Sequence, residues 1–299
     1  VTEAPHAVTE ATTGANGGAP ILTVEDVHLS FGGIRAVNGA TFSVREGSIT
    51  SLIGPNGAGK TTLFNCITGF YKPEAGQITF RGESIFGLPP YAITRKGMVR
   101  TFQITKALSA MPVIDNMLLA APHQPGEHLP TLLAKLPAAR RREQEITERA
   151  YELLRVFDLD SKANDYAATL SGGQRKLLEL ARALMTEPRM VLLDEPMAGI
   201  NPSLGLRLLE HMERLRTEQG VTFLFIEHDM EVVMRHSDEV VVMAMGRVIA
   251  RGTPAQIRSD QRVVDAYLGG DADSHLPSLE DDSRGGPLPP PAGTEGDDG

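Results

Sequence analysis

The stretch Gly54-Pro55-Asn56-Gly57-Ala58-Gly59-Lys60-Thr61-Thr62 decides the fold. It fits the pattern G-x-x-x-x-G-K-S/T and stands where that pattern has physical meaning, after the strand-like run Ser48 to Ile53 and before a helical stretch that starts at Lys60. The glycines let the backbone curl so that successive N–H groups point at phosphate oxygens, and the N-terminus of the following helix adds favourable dipole charge. Lys60 is placed to neutralise β- and γ-phosphates, and the Thr61 hydroxyl to ligate Mg²⁺. Strand, glycine loop and helix in that order predict a nucleotide-binding α/β domain.

Farther along, Met190-Val191-Leu192-Leu193-Asp194-Glu195 is an apolar strand that ends in two carboxylates. Behind a phosphate loop, such an end puts Asp194 beside the metal, held through a water, and Glu195 near the γ-phosphate, where it orients the attacking water or accepts its proton. Shortly before that strand, Leu170-Ser171-Gly172-Gly173-Gln174 opens a helix containing Leu177, Leu178, Leu180 and Ala181. A serine hydroxyl with free helix N-terminal amides suits anion binding, although Ser-Gly-Gly alone reads equally as an N-cap and turn.

These segments, in this order, resemble the ABC ATPase family, with Leu170 to Gln174 as its signature motif. The resemblance implies an α/β P-loop NTPase of ABC ATPase type, with a RecA-like core, an antiparallel β subdomain and a helical subdomain at about 104–169, all within residues 21–270. ATP and Mg²⁺ are the implied cofactors. Gly54, Pro55, Asn56, Gly57, Ala58, Gly59, Lys60, Thr61 and Thr62 would hold ATP, and Phe31, in Phe31-Gly32-Gly33, would stack on adenine. Gln103, in Arg100-Thr101-Phe102-Gln103, matches the glutamine that senses Mg²⁺ and water and links the site to the helical subdomain. His228, after Thr222 to Glu227, matches the histidine that contacts the γ-phosphate. The implied catalytic set is Glu195, His228 and Gln103, and the implied metal set Thr61, Gln103 and Asp194. Ser171, Gly172, Gly173 and Gln174 would act across a dimer on nucleotide held by the other subunit. Asn201 departs from the family pattern, which commonly has Asp in the loop that communicates across the dimer; Asn keeps hydrogen-bonding capacity and loses the charge.

Phe31 to Asn38, Phe64 to Pro73 and Ala266 to Gly269 are similar to ATPase subunits of branched-chain amino acid importers. That likeness implies a homodimer or a heterodimer with a paralogous ATPase, two membrane permease subunits and, indirectly, an extracellular solute-binding protein. Importers of amides or urea and ATPases of lipid or lipopolysaccharide exporters share the pattern. Soluble ABC ATPases of DNA repair carry long coiled coils and ribosome-associated ones two cassettes, whereas this sequence has neither a heptad array nor a second cassette.

With 41% hydrophobic and 22% charged residues in 299, the chain can bury a sizeable core. Its apolar runs, such as Val240 to Met243, fall far short of the roughly 18 residues of a membrane span. The net charge of −9 sits at the ends: residues 271–299 carry −7 and residues 1–20 carry −2, which leaves 21–270 neutral. A neutral body argues against nucleic-acid binding, which needs a basic face. Residues 1–20 and the Pro/Gly-rich, acidic 271–299 are expected to be disordered tails. The first twenty residues lack the basic and apolar blocks of a secretory signal, so the expected place is the cytoplasmic face of the cell membrane, peripherally bound. The single cysteine, Cys66, falls in an apolar helical stretch and is expected to be buried packing. Ile146, Ala150, Leu153, Leu154 and Phe157 share a helix face, and Arg140-Arg141-Arg142 reads as a solvated one. Strands are expected at Ile21 to Leu29, Thr41 to Val44, Val191 to Leu193, Thr222 to Ile226 and Val240 to Met245, the last turning back at Gly246.

Overall fold

A computed structural model describes residues 19–101, 108–122 and 136–268. The expected tail 271–299, most of the expected tail 1–20, Gln103 and parts of the expected helical subdomain lie outside the described residues. In chain order the first half contains β1 (Pro20–Phe31), β2 (Ile34–Arg45), β3 (Ile49–Ile53), α1 (Lys60–Ile67), β4 (Ala75–Phe80), β5 (Glu83–Ser84), α2 (Pro90–Arg95), β6 (Met98–Arg100) and α3 (Val113–Ala120). The second half contains α4 (Leu136–Val156), α5 (Gly172–Leu184), β7 (Met190–Asp194), α6 (Pro202–Gln219), β8 (Thr222–Ile226), α7 (Met230–His236), β9 (Glu239–Ala244), β10 (Arg247–Gly252), α8 (Pro254–Arg258) and α9 (Gln261–Leu268).

The N-terminal strands make an antiparallel sheet of order β2-β1-β4-β5. Val24 and Val27 stand three residues apart, which in a regular strand would point them to opposite faces. A bulge between them, with Asp26 at φ 46°, returns Val27 and Leu29 to the buried side. β1 starts at Pro20, inside the stretch expected to be a tail, because Pro20 pairs with Arg45.

The second sheet has the order β10-β9-β3-β8-β7-β6, parallel except for β10. Every residue of β3, β7 and β8 is buried, as continuous apolar runs require when a parallel sheet is covered on both faces. Alternate residues serve two different cores. Ile49, Ile53, Val191, Leu193, Phe223 and Phe225 pack with the buried residues of α3, α4, α5 and α6. Leu52, Leu192, Leu224 and Ile226 pack with α1 and the antiparallel sheet. Ile146, Ala150, Leu153 and Leu154 line the buried side of α4, continued by Phe157, while Arg140 and Arg141 are exposed, as the helical spacing predicts. Cys66 is buried on α1, and burial pushes its thiol up to about 12, which removes thiolate reactivity at neutral pH. Among the described residues no helix is long and apolar enough to cross a membrane.

Candidate functional site

The phosphate loop, Asp194-Glu195 and Glu227-His228 follow β3, β7 and β8, which are neighbours in the sheet, so all three segments leave it at one carboxyl edge. That edge is where open α/β sheets bind ligands. Only glycine fits position 54: its φ is 147°, and an added Cβ would lie 2.1 Å from the backbone oxygen of Met243. Asn56, Gly57 and Thr61 are exposed and Ala58 is buried, so the loop is open outward and packed inward. The β9–β10 turn braces it, Gly246 N–H donating to the Ala58 carbonyl (3.0 Å) while the Gly246 carbonyl accepts from Asn38 N–H (2.8 Å).

The Lys60 ammonium curls back over the loop and donates to the carbonyls of Gly54 (2.6 Å) and Pro55 (3.0 Å). Burial holds its pKa below the usual lysine range, and the charges of Glu195 and Asp194 oppose that shift. Lys60 and the acid pair therefore share one electrostatic environment. Asp194 is buried and paired with Arg100, whose Nη2 lies 2.7 Å from Oδ2. The same guanidinium donates to Asn65 Oδ1 (2.5 Å) on α1 and lies over the rings of Phe64 and Phe70. Glu195 has φ 48°, a left-handed conformation that turns the chain sharply out of β7, and its N–H donates to the Ile226 carbonyl (3.0 Å). Glu227 is buried; its carboxylate accepts from the N–H groups of Met197 (2.9 Å) and His228 (3.2 Å). Burial raises its pKa, and those two amides oppose the rise. The His228 side chain is exposed beyond it.

The signature segment forms the N-terminus of α5. Ser171 is the N-cap in a reciprocal box, its Oγ accepting from Gln174 N–H (3.2 Å) and its own N–H donating to Gln174 Oε1 (3.0 Å). The hydroxyl hydrogen stays available to an anion, so cap and phosphate contact are compatible. Gly172 faces open space, whereas a Cβ on Gly173 would meet the terminal methyl of Leu204 of α6 at 2.1 Å and would have to push it aside. Asn201 caps α6, its Oδ1 accepting from Ser203 N–H (2.9 Å) and Oγ (2.8 Å). An aspartate would cap equally well, so the departure at 201 preserves the local fold and removes only charge. Phe31 ends β1, half-exposed and edge-on to Tyr71 at 5.3 Å. Gln103 lies outside the described residues, but Thr101 N–H donates to the Leu192 carbonyl (3.0 Å), which carries the segment before it alongside β7.

Four residues that the motifs did not single out belong to this site. Arg100 holds Asp194; Glu227 and Lys176 hold the loop after Glu195; and Tyr267 of α9 lies beside the Gly54 backbone, its hydroxyl pushed up to about 12 by burial. The signal available for each was its adjacency to a motif or, for Tyr267, a tyrosine on a short amphipathic helix. Among the described residues no cluster of three or more His, Cys, Asp or Glu is placed to hold a metal. One exposed threonine hydroxyl and one anchored carboxylate fit instead a hard cation held mainly by phosphate oxygens and water.

A glycine cradle at a helix N-terminus, an acid pair two strands away at the same sheet edge and a second, capped helix N-terminus define a phosphate-loop ATP-binding cassette. The chain belongs to the ABC transporter family, whose model matches residues 37–198, and it binds nucleotide as an ABC ATPase. Residues 247–273 match the branched-chain amino acid ATP-binding cassette transporter model. The chain is 48% identical over 250 residues to the high-affinity branched-chain amino acid transport ATP-binding protein BraF of Pseudomonas aeruginosa, covering 84% of this chain and 98% of that one. It is 44% identical to LivG of Escherichia coli K12 over the same shares. Among solved structures, the ADP conformation of MJ1267, an ATP-binding cassette of an ABC transporter, superposes with a TM-score of 0.73 at 39% identity, over 84% of this chain and 99% of that one. A nucleotide-free ATP-binding cassette from an ABC transporter gives 0.71 at 38%, over 83% and 99%. The α/β cassette fold expected from the sequence is the fold of these neighbours.

Proposed function

We propose that this chain is the ATP-hydrolysing subunit that energises uptake of branched-chain amino acids through a separate membrane permease. The observation that carries the reading is the convergence of Lys60, Asp194 and Glu195 at one sheet edge, in a chain that is 48% identical to BraF over 250 residues and matches the branched-chain family model at its C-terminal end. The glycine loop and the first turn of α1 bind the phosphates, with Lys60 released from its own loop carbonyls to meet them. Mg²⁺, when bound through Thr61, Asp194 and Gln103, neutralises charge developing on the phosphoryl oxygens. Glu195 orients the attacking water or takes its proton, and His228, exposed at the next strand end, contacts the γ-phosphate. Phe31 offers a half-exposed ring face to adenine.

Two cassettes, identical or paralogous, would pair head to tail so that Ser171, Gly172, Gly173 and Gln174 of one meet the nucleotide of the other, with Asn201 at the contact. The open space beyond Gly172 supports this. The permease pair and an extracellular solute-binding protein complete the system, and the cassettes bind peripherally at the cytoplasmic face. Glu195→Gln tests the reading: ATP binding is expected to persist while turnover falls by about 100-fold or more. Cells whose only copy is that variant should also lose leucine uptake; wild-type leucine uptake in them would overturn the import assignment, and wild-type turnover would overturn the role of Glu195.

A further inference from the structure

The loop that follows β7 is gripped from two sides. From the signature helix α5, the Lys176 ammonium donates to the backbone carbonyls of Glu195 (3.4 Å), Pro196 (3.3 Å) and Ala198. From the end of β8, the buried Glu227 carboxylate takes the N–H of Met197 on one oxygen and that of His228 on the other. An ammonium with three donors suits three converging carbonyls, and a carboxylate suits the amides that face the other way. Glu227, Glu179 and Glu195 all act to keep Lys176 charged against its burial. Glu195 itself holds a left-handed φ, a conformation that persists only where the surroundings enforce it. The same lysine lines a narrow cleft with Thr101, Asp194 and Pro196, so the grip lies against the metal-side carboxylate and the segment that leads to Gln103.

We infer that Lys176 and Glu227 clamp the Glu195–Ala198 loop so that the placement of the Glu195 carboxylate depends on the position of the signature helix, which makes Lys176 a positioning residue for hydrolysis. α5 carries Ser171 at its N-cap and Lys176 in its first turns, so a shift of the helix when Ser171 engages a phosphate moves the ammonium and the carbonyls it holds. Hydrolysis is thereby tuned to signature engagement within one chain. The inference rests on the role proposed for Glu195.

The test uses the full chain captured with its permease, in four forms: wild type, Glu195→Gln, Lys176→Met and Lys176→Arg. Lys176→Met is expected to lower kcat by about tenfold or more while KM stays within about twofold, the pattern of a misplaced catalytic group. Lys176→Arg, which keeps a charged donor, should recover most of the rate. With hydrolysis blocked by Glu195→Gln, adding Lys176→Met should leave the affinity for a fluorescent ATP analogue unchanged. If Lys176→Met does not fold, Lys176→Gln carries the same comparison, since it keeps a donor without the charge. Wild-type kcat in the methionine variant, an equal loss in the arginine variant, or a fall in nucleotide affinity would overturn the inference. Normal turnover by Glu195→Gln alone would overturn the Glu195 assignment together with it, whereas normal turnover by Lys176→Met beside an inactive Glu195→Gln overturns the clamp only.

Discussion

Replacing Arg100 with methionine should destabilise the cassette more than almost any other single polar substitution. The Arg100 and Asp194 side chains are 9% and 4% exposed, and they face each other at 2.7 Å. Removing one partner of a buried ion pair leaves the other charge uncompensated, at a cost of about 3–5 kcal/mol. Methionine keeps the unbranched apolar stem between the rings of Phe64 and Phe70, and Arg100 Nε is already buried without a partner, so packing and that orphan donor do not add to the loss. At about 2–4 °C per kcal/mol for a domain of this size, a loss of about 3 kcal/mol lowers Tm by roughly 6–12 °C. Circular dichroism melts of the full chain at neutral pH would measure it. Lysine should give an intermediate loss, because a point charge cannot fork to both Asp194 and Asn65, and pairing Arg100→Met with Asp194→Asn should restore part of the stability. A Tm within about 1 °C of wild type for Arg100→Met would refute the reasoning.

His211 on α6 is buried edge-on to Phe157 with neither ring nitrogen hydrogen-bonded, and burial lowers its pKa from the usual 6.5. The unfolded chain therefore binds the proton more readily, and stability is lost as pH falls through 6.5; His211→Leu should flatten that acid limb by up to about 1.4 kcal/mol per pH unit, as read by urea unfolding at pH 7 and 5.5. Gly54→Ala drives a methyl into the Met243 backbone at a positive φ, whereas Gly173→Ala meets the mobile end of Leu204. Denaturant unfolding should show a loss of about 3 kcal/mol or more for the first and under about 1.5 kcal/mol for the second. Ser171→Ala should cost about 1 kcal/mol of stability through its cap, while Ser171→Asp restores the cap yet abolishes ATPase activity by setting a carboxylate against phosphate.

The central strands and the phosphate loop were legible because their signals are local: apolar runs at Val191 to Leu193 and Thr222 to Ile226, and glycines ahead of Lys60. The strands β4 to β6 were not foreseen. β5 and β6 are only two or three residues long, and β4 shows apolar burial only at Ile78 and Phe80, so their pairing is decided by the partner strand rather than by their own periodicity. Asp194 and Glu195 were legible as an acid pair, but the arginine that holds one and the left-handed turn that redirects the other depend on contacts across the sheet. Lys176 stood beside the signature in plain view. A lysine on an amphipathic helix reads as solvated, and only the fold shows it aimed at three carbonyls. Asn201 illustrates the reverse, since a residue singled out for its missing charge proves to be a well-formed helix cap.

The brace on the phosphate loop has a kinetic meaning. Ala58 is tied to Gly246 and Gly246 to Asn38, so two distant stretches of chain fix the cradle's shape without any help from nucleotide. The entropy of ordering the loop is met once, when the protein folds, and is not charged again at each turnover. Capture of ATP then needs no folding of the loop, only the release of Lys60 from the Gly54 and Pro55 carbonyls. On the function proposed above, the step expected to set the tempo of the cycle lies after nucleotide capture, in the opening and closing of paired cassettes.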